Sequence, residues 1–72
     1  MIDSFYIMKI HVFPFNNQWA IFDEAEERPK GMFINPDEAL KSARKIFRHN
    51  PSHTRVFIHD KDGKIQYVLN NI

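Results

Sequence analysis

The chain has 72 residues, no cysteine and a formal net charge of +1. A chain of this length forms one small domain, residues 1–72, and buries only about 60% of the surface that its unfolded form exposes. The lack of cysteine excludes disulfides and thiolate metal sites. No stretch approaches the roughly 20 apolar residues of a membrane helix, and no targeting segment is visible, so we expect a cytoplasmic protein with no membrane partner.

The first third of the chain predicts a β-hairpin. Residues 5–15 are rich in aromatic and β-branched side chains, which favour an extended strand, and residues 19–23 form the returning strand. Asn16 and Asn17 lie between them, and asparagine tolerates the positive φ angles of a tight turn. Alternation then separates two faces of the first strand. One face carries Tyr6, Met8, Ile10 and Val12, and the other carries Phe5, Ile7, Lys9, His11, Phe13 and Phe15.

Residues 24–34 are predicted to form a loop, with a short extended piece at residues 32–34. A helix follows, because Asn35 is a good N-cap and Pro36 suits the first helical position. Pro51 ends the helix, since proline disfavours helical geometry in the residue before it. The apolar residues of this segment recur at helical spacing and form one stripe. They are Ala39, Leu40, Ala43, Ile46 and Phe47.

Residues 54–59 and 64–69 predict a second hairpin, with a turn at residues 60–63. Gly63 is the natural residue for a left-handed position in that turn. Because hairpins need only short turns, both strand pairs are expected to be antiparallel. We therefore predict an α+β fold in the order β-β-α-β-β, a four-stranded antiparallel sheet with one helix on one face.

Several short motifs occur in a fixed order along the chain. They are Trp19-Ala20-Ile21, Asp37-Glu38-Ala39, Ala43-Arg44, Ile58-His59 and Asp62-Gly63-Lys64-Ile65-Gln66. In their order and spacing they make residues 10–67 similar to domain-of-unknown-function family 2188, a family of small uncharacterised bacterial and phage proteins. The resemblance implies the predicted fold and a bacterial or phage origin. It implies no activity and supplies no catalytic residue.

The histidines and carboxylates form no recognisable enzyme or metal motif. The four histidines lack the ligand spacing of a metal site. An acid–base site is conceivable at His59, Asp60 and Asp62, but an Asp-x-Asp-Gly turn more often bonds its own backbone. We therefore predict no enzyme, no metal and no cofactor. An enzyme would require a concave pocket near His59 and Asp62.

The chain has more aromatic residues than a sheet with one helix-covered face is expected to bury. The uncovered face of such a sheet is polar in a monomer, yet alternation assigns Phe13, Phe15 and Phe57 to it. In the second strand both sides are apolar, so one of two sets joins them. The sets are Trp19 with Ile21, and Ala20 with Phe22.

Two interpretations of this face stay open. Either a second protein covers it, or the loop of residues 24–34 folds over it. An exposed apolar patch usually marks an interface, so we predict a non-enzymatic interaction domain, homodimeric or bound to another protein. Its predicted contacts are Phe13, Phe15, Trp19 and Phe57. By analogy, a small phage or bacterial chain of this kind is a regulator or inhibitor that binds a host protein.

Basic residues on the predicted helix provide an alternative. Lys41, Arg44, Lys45 and Arg48 form a basic face that would suit nucleic acid or an acidic protein partner. The near-neutral net charge argues against a nucleic-acid module, which is usually strongly basic. A solvated face that complements the helix dipole explains the same residues.

Overall fold

The computed structural model describes residues 7–71 and has one helix packed on a sheet, which confirms the α+β class. The elements are β1 (Met8–Phe15), β2 (Gln18–Asp23), β3 (Gly31–Phe33), α1 (Pro36–His49), β4 (Thr54–His59) and β5 (Ile65–Leu69). A single 3₁₀ turn at Pro51–His53 joins α1 to β4. The predictions for Phe5 and Tyr6 lie outside the described residues. No helix within residues 7–71 is long and apolar enough to cross a bilayer.

The prediction of four antiparallel strands was wrong, because the sheet has five strands and is mixed. Its order is β3-β2-β1-β4-β5, and β1 pairs with β4 in parallel, with Ile10 opposite Val56. Both hairpins are antiparallel, but their turns do not determine how one hairpin meets the other. The helix acts as a crossover and returns the chain so that β4 runs in the same direction as β1. The fifth strand, β3, comes from the predicted loop and pairs with β2.

The two hairpin turns form as their residues predict. Asn16 and Asn17 have φ angles of 53° and 61°, and positive φ at both central residues is the type I′ pattern that matches the twist of a hairpin. In the second turn, Gly63 has a φ angle of 85°. The Asp60 carboxylate accepts hydrogen bonds from the backbone N–H groups of Asp62 and Lys64, at 2.9 and 3.0 Å. This carboxylate therefore has a structural role in the turn.

The core lies between α1 and one face of the sheet. Ala39 and Ala43 are fully buried on the helix, and their small side chains let the helix approach the strands closely. The sheet contributes β-branched residues, which suit a pleated surface. These are Ile10, Val12, Ile21, Val56 and Ile58. The core is small, as a chain of this length predicts.

The N-cap of α1 gives the first testable prediction. The Asn35 side-chain oxygen accepts a hydrogen bond from the Glu38 backbone N–H at 2.9 Å, which satisfies a free amide of the first turn. Asn35→Ala is therefore expected to lower the free energy of unfolding by about 1 kcal/mol in urea denaturation. Asn70→Ala, at an exposed position outside any helix, is the matched control. Equal effects of the two substitutions would contradict this role of the cap.

Candidate interaction face

The sheet face opposite α1 carries a cluster of aromatic rings, which we call the aromatic face. It comprises Phe13, Phe15, Phe22 and Phe57, together with the imidazoles of His11 and His59. Phe22 contacts Phe13 and Phe15, with ring centroids 5.2 and 5.4 Å apart, and its ring meets that of Phe15 almost edge-on. These are favourable aromatic geometries. Three of the predicted contact residues, Phe13, Phe15 and Phe57, thus share one cluster.

Within residues 7–71, the helix does not cover this face, because it packs on the opposite side of the sheet. Residues 31–33 of the predicted loop form β3 in the plane of the sheet, and Phe33 packs against the core. Glu24, the first residue of the predicted loop, contacts His11 at one end of the aromatic face. At the other end Phe15 remains 38% exposed, so residues 24–34 do not cover this ring.

Trp19 does not lie on the aromatic face, so its prediction as a contact there was wrong. The pairing of β1 with β2 places Ile21 opposite Val12 on the core side of the sheet. Trp19, two residues earlier, shares that side and packs against the core. Of the two sets left open by the sequence, Phe22 and Ala20 therefore join the aromatic face.

Two histidines and a glutamate form a hydrogen-bonded chain at one end of the aromatic face. His11 Nδ1 lies 2.9 Å from His59 Nε2, and His11 Nε2 lies 2.5 Å from a carboxylate oxygen of Glu24. His59 Nδ1 lies 2.9 Å from the backbone oxygen of Gly63. The hydrogen bond with His11 lowers the pKa of the Glu24 carboxyl below its ordinary value of 4.5. Phe57 stacks on the His11 ring, with centroids 4.8 Å apart and an interplanar angle of 14°.

The contact between the two histidines did not follow from the predicted antiparallel sheet. Parallel pairing of β1 with β4 places His11 opposite Phe57, two residues before His59. The two imidazoles therefore meet, whereas antiparallel pairing gave no reason to bring them together. Alternation did place His11 on the face away from the helix, but Glu24 was predicted only as part of the loop of residues 24–34.

A groove does occur near His59 and Asp62, between the start of α1 and the turn before β5. Its volume is about 480 Å³, and Trp19, Leu40 and Tyr67 provide apolar walls. His59, Asp60 and Asp62 also line this groove, and the imidazole of His59 contacts His11 and Phe13 on the aromatic face as well. No group of three or more His, Asp or Glu residues within residues 7–71 is arranged to hold a metal ion.

The basic residues of α1 lie on a different surface from the aromatic face. Lys41, Arg44, Lys45 and Arg48 are all exposed. None of the four forms an ion pair with a residue in the described part of the chain, where the ion pairs are His11–Glu24 and Lys30–Glu26. The helix thus presents four cationic groups to solvent, as the sequence predicts.

The fold defines a small α+β domain with one helix on a mixed five-stranded sheet. A family model described as an uncharacterized protein conserved in bacteria, DUF2188, matches residues 10–67. The chain therefore belongs to DUF2188, which confirms the resemblance seen in its motifs. No curated protein and no solved structure matches the chain.

The contact between Glu24 and His11 gives a pH-dependent prediction. Because the folded-state pKa of Glu24 is depressed, its contribution to stability is present above the ordinary value of 4.5 and is lost as the pH falls through the folded value. Glu24→Gln is expected to be slightly destabilising at pH 7, since Glu24 is exposed and the surrounding water screens the contact.

Urea denaturation between pH 3 and pH 7 measures this effect. The difference between Glu24→Gln and the wild type should shrink towards the acid end of the series. Glu27→Gln removes a charge from the same exposed loop and serves as the control, with no such trend expected. A difference that is constant with pH would contradict the assigned contact.

Proposed function

We propose that this DUF2188 chain is a non-enzymatic interaction domain that forms a homodimer through the aromatic face. The observation that carries the proposal is a ring cluster on a sheet face that no helix covers within residues 7–71. Phe13, Phe22 and Phe57 remain partly exposed there, and Phe15 is 38% exposed. Covering these rings with a second copy would add apolar burial to a small core.

The dimensions of the face set the expected strength of association. Five strands of three to eight residues, with about 3.3 Å per residue and about 4.8 Å between strands, give a face of about 450 Å². Two such faces would bury about 900 Å², which is the size of a weak or transient interface. We therefore expect a reversible, concentration-dependent dimer. In a narrower form of the proposal, this protein is a regulator or inhibitor that binds a host protein through the same rings.

Positive charges beside the rings support a partner with acidic groups at one end of the aromatic face. Lys9 and Arg55 are opposite each other in the β1–β4 register, and both are exposed. Like charges on neighbouring strands are unfavourable unless something compensates them. Glu24 of the same chain interacts with Lys9 and contacts His11, which leaves Arg55 as the charge that an acidic group of the second copy can approach.

A substitution at the most exposed ring of the cluster tests the dimer. Phe15→Asp places an uncompensated charge in the proposed interface, so the dissociation constant should rise at least about tenfold. Sedimentation velocity over a range of concentrations measures the change, and circular dichroism checks that the variant folds. Ile34→Asp makes the same kind of substitution at a residue that is 84% exposed and outside the aromatic face. A wild-type monomer at every concentration would overturn the proposal.

The second candidate function is nucleic-acid binding by the basic residues Lys41, Arg44, Lys45 and Arg48. Their side chains are exposed and form no ion pair with other residues in the described part of the chain, which favours this candidate. Four phosphate contacts predict that affinity falls roughly a hundredfold between about 50 and about 200 mM salt. Lys45→Glu should then weaken binding to labelled DNA or RNA in fluorescence anisotropy. Lys61→Glu, the same change at an exposed position in the turn before β5, is the control. The absence of binding at low salt would exclude this candidate.

A further inference from the structure

The hydrogen-bonded chain from Glu24 to Gly63 determines how many ring protons His11 and His59 must carry together. The Gly63 carbonyl only accepts hydrogen bonds, so His59 Nδ1 must donate to it. An ionised Glu24 also only accepts, so His11 Nε2 must donate to Glu24. The two remaining nitrogens face each other at 2.9 Å, and one of them must donate to the other. Three contacts therefore need three ring protons.

Two neutral imidazoles together carry only two protons. We propose that His11 and His59 share one additional proton, so that the pair holds a single positive charge beside the Glu24 carboxylate. Placing the third proton on Glu24 would also satisfy the contacts. The lowered pKa of Glu24 argues against that arrangement.

The surroundings of the pair include groups that favour the charge and groups that oppose it. On β1 and β4, Lys9 and Arg55 carry positive charges on the same face and oppose it. Glu24 follows β2 and favours it. The turn before β5 brings Asp60 and Lys64, which have opposite signs. The strand β5 itself has no charged side chain.

Aromatic rings also stabilise the shared charge. Phe57 stacks on His11 at 4.8 Å, and a cation is attracted to the face of an aromatic ring. The ring of Phe13 lies 5.7 Å from that of His59. The charged pair is thus built into the aromatic face, and its protonation controls whether that face keeps its hydrogen bonds.

The inference rests on the contacts among Glu24, His11, His59 and Gly63, and it does not depend on the proposed dimer.

NMR of the ring nitrogens tests the assignment directly, because protonated and unprotonated imidazole nitrogens resonate far apart. At pH 6.5 we expect both outer nitrogens, His11 Nε2 and His59 Nδ1, to be protonated and one proton to be shared between the inner two. Only two protons on the four nitrogens would overturn the proposal. Spectra recorded with and without a chelator test for a bound metal ion. Inner nitrogens that bind a metal would become detectable as free only after the metal is removed. That result would also overturn the proposal.

Discussion

The parallel pairing of β1 with β4 is the interaction on which the rest of the structure depends. It joins the two hairpins into one sheet and places β1 and β4 at its centre. It aligns Ile10 with Val56 and Val12 with Ile58, so that the apolar sides of both strands form one surface under α1. The same alignment stacks His11 on Phe57 on the opposite face. One register thus determines both the core and the aromatic face.

The two faces of the sheet are stabilised by different interactions. On the helix side, small alanines and β-branched residues form a dry, closely packed layer. On the other side, rings contact one another while remaining partly exposed, and a chain of polar contacts crosses three segments of the protein. The second layer thus contains ionisable groups and rings that water reaches.

The local structure of the chain was largely predictable from the sequence, because each element has its own local signals. Asn35 and Pro36 mark the start of the helix, Asn16 and Asn17 the first turn, and Gly63 the second. Alternation also assigned Phe57 to the face opposite the helix, where the structure places it.

The global arrangement could not be predicted in the same way. The direction in which two hairpins meet depends on packing between residues far apart in the chain, and no local signal encodes it. The strand β3 has only three residues and follows a charged loop, so it gave a weak pattern. The side of Trp19 also depended on register, because β2 is apolar on both faces. The contact between His11 and His59 became visible only once the parallel register was known.

The position of Trp19 has a practical consequence for spectroscopy. It is the single tryptophan of the chain, and it packs on the core side beside Leu40 at the mouth of the groove. Its fluorescence therefore reports on separation of the helix from the sheet and on molecules that enter the groove. Events on the aromatic face, with the sheet in between, leave this signal largely unchanged. The protein thus contains an intrinsic probe that separates unfolding from association.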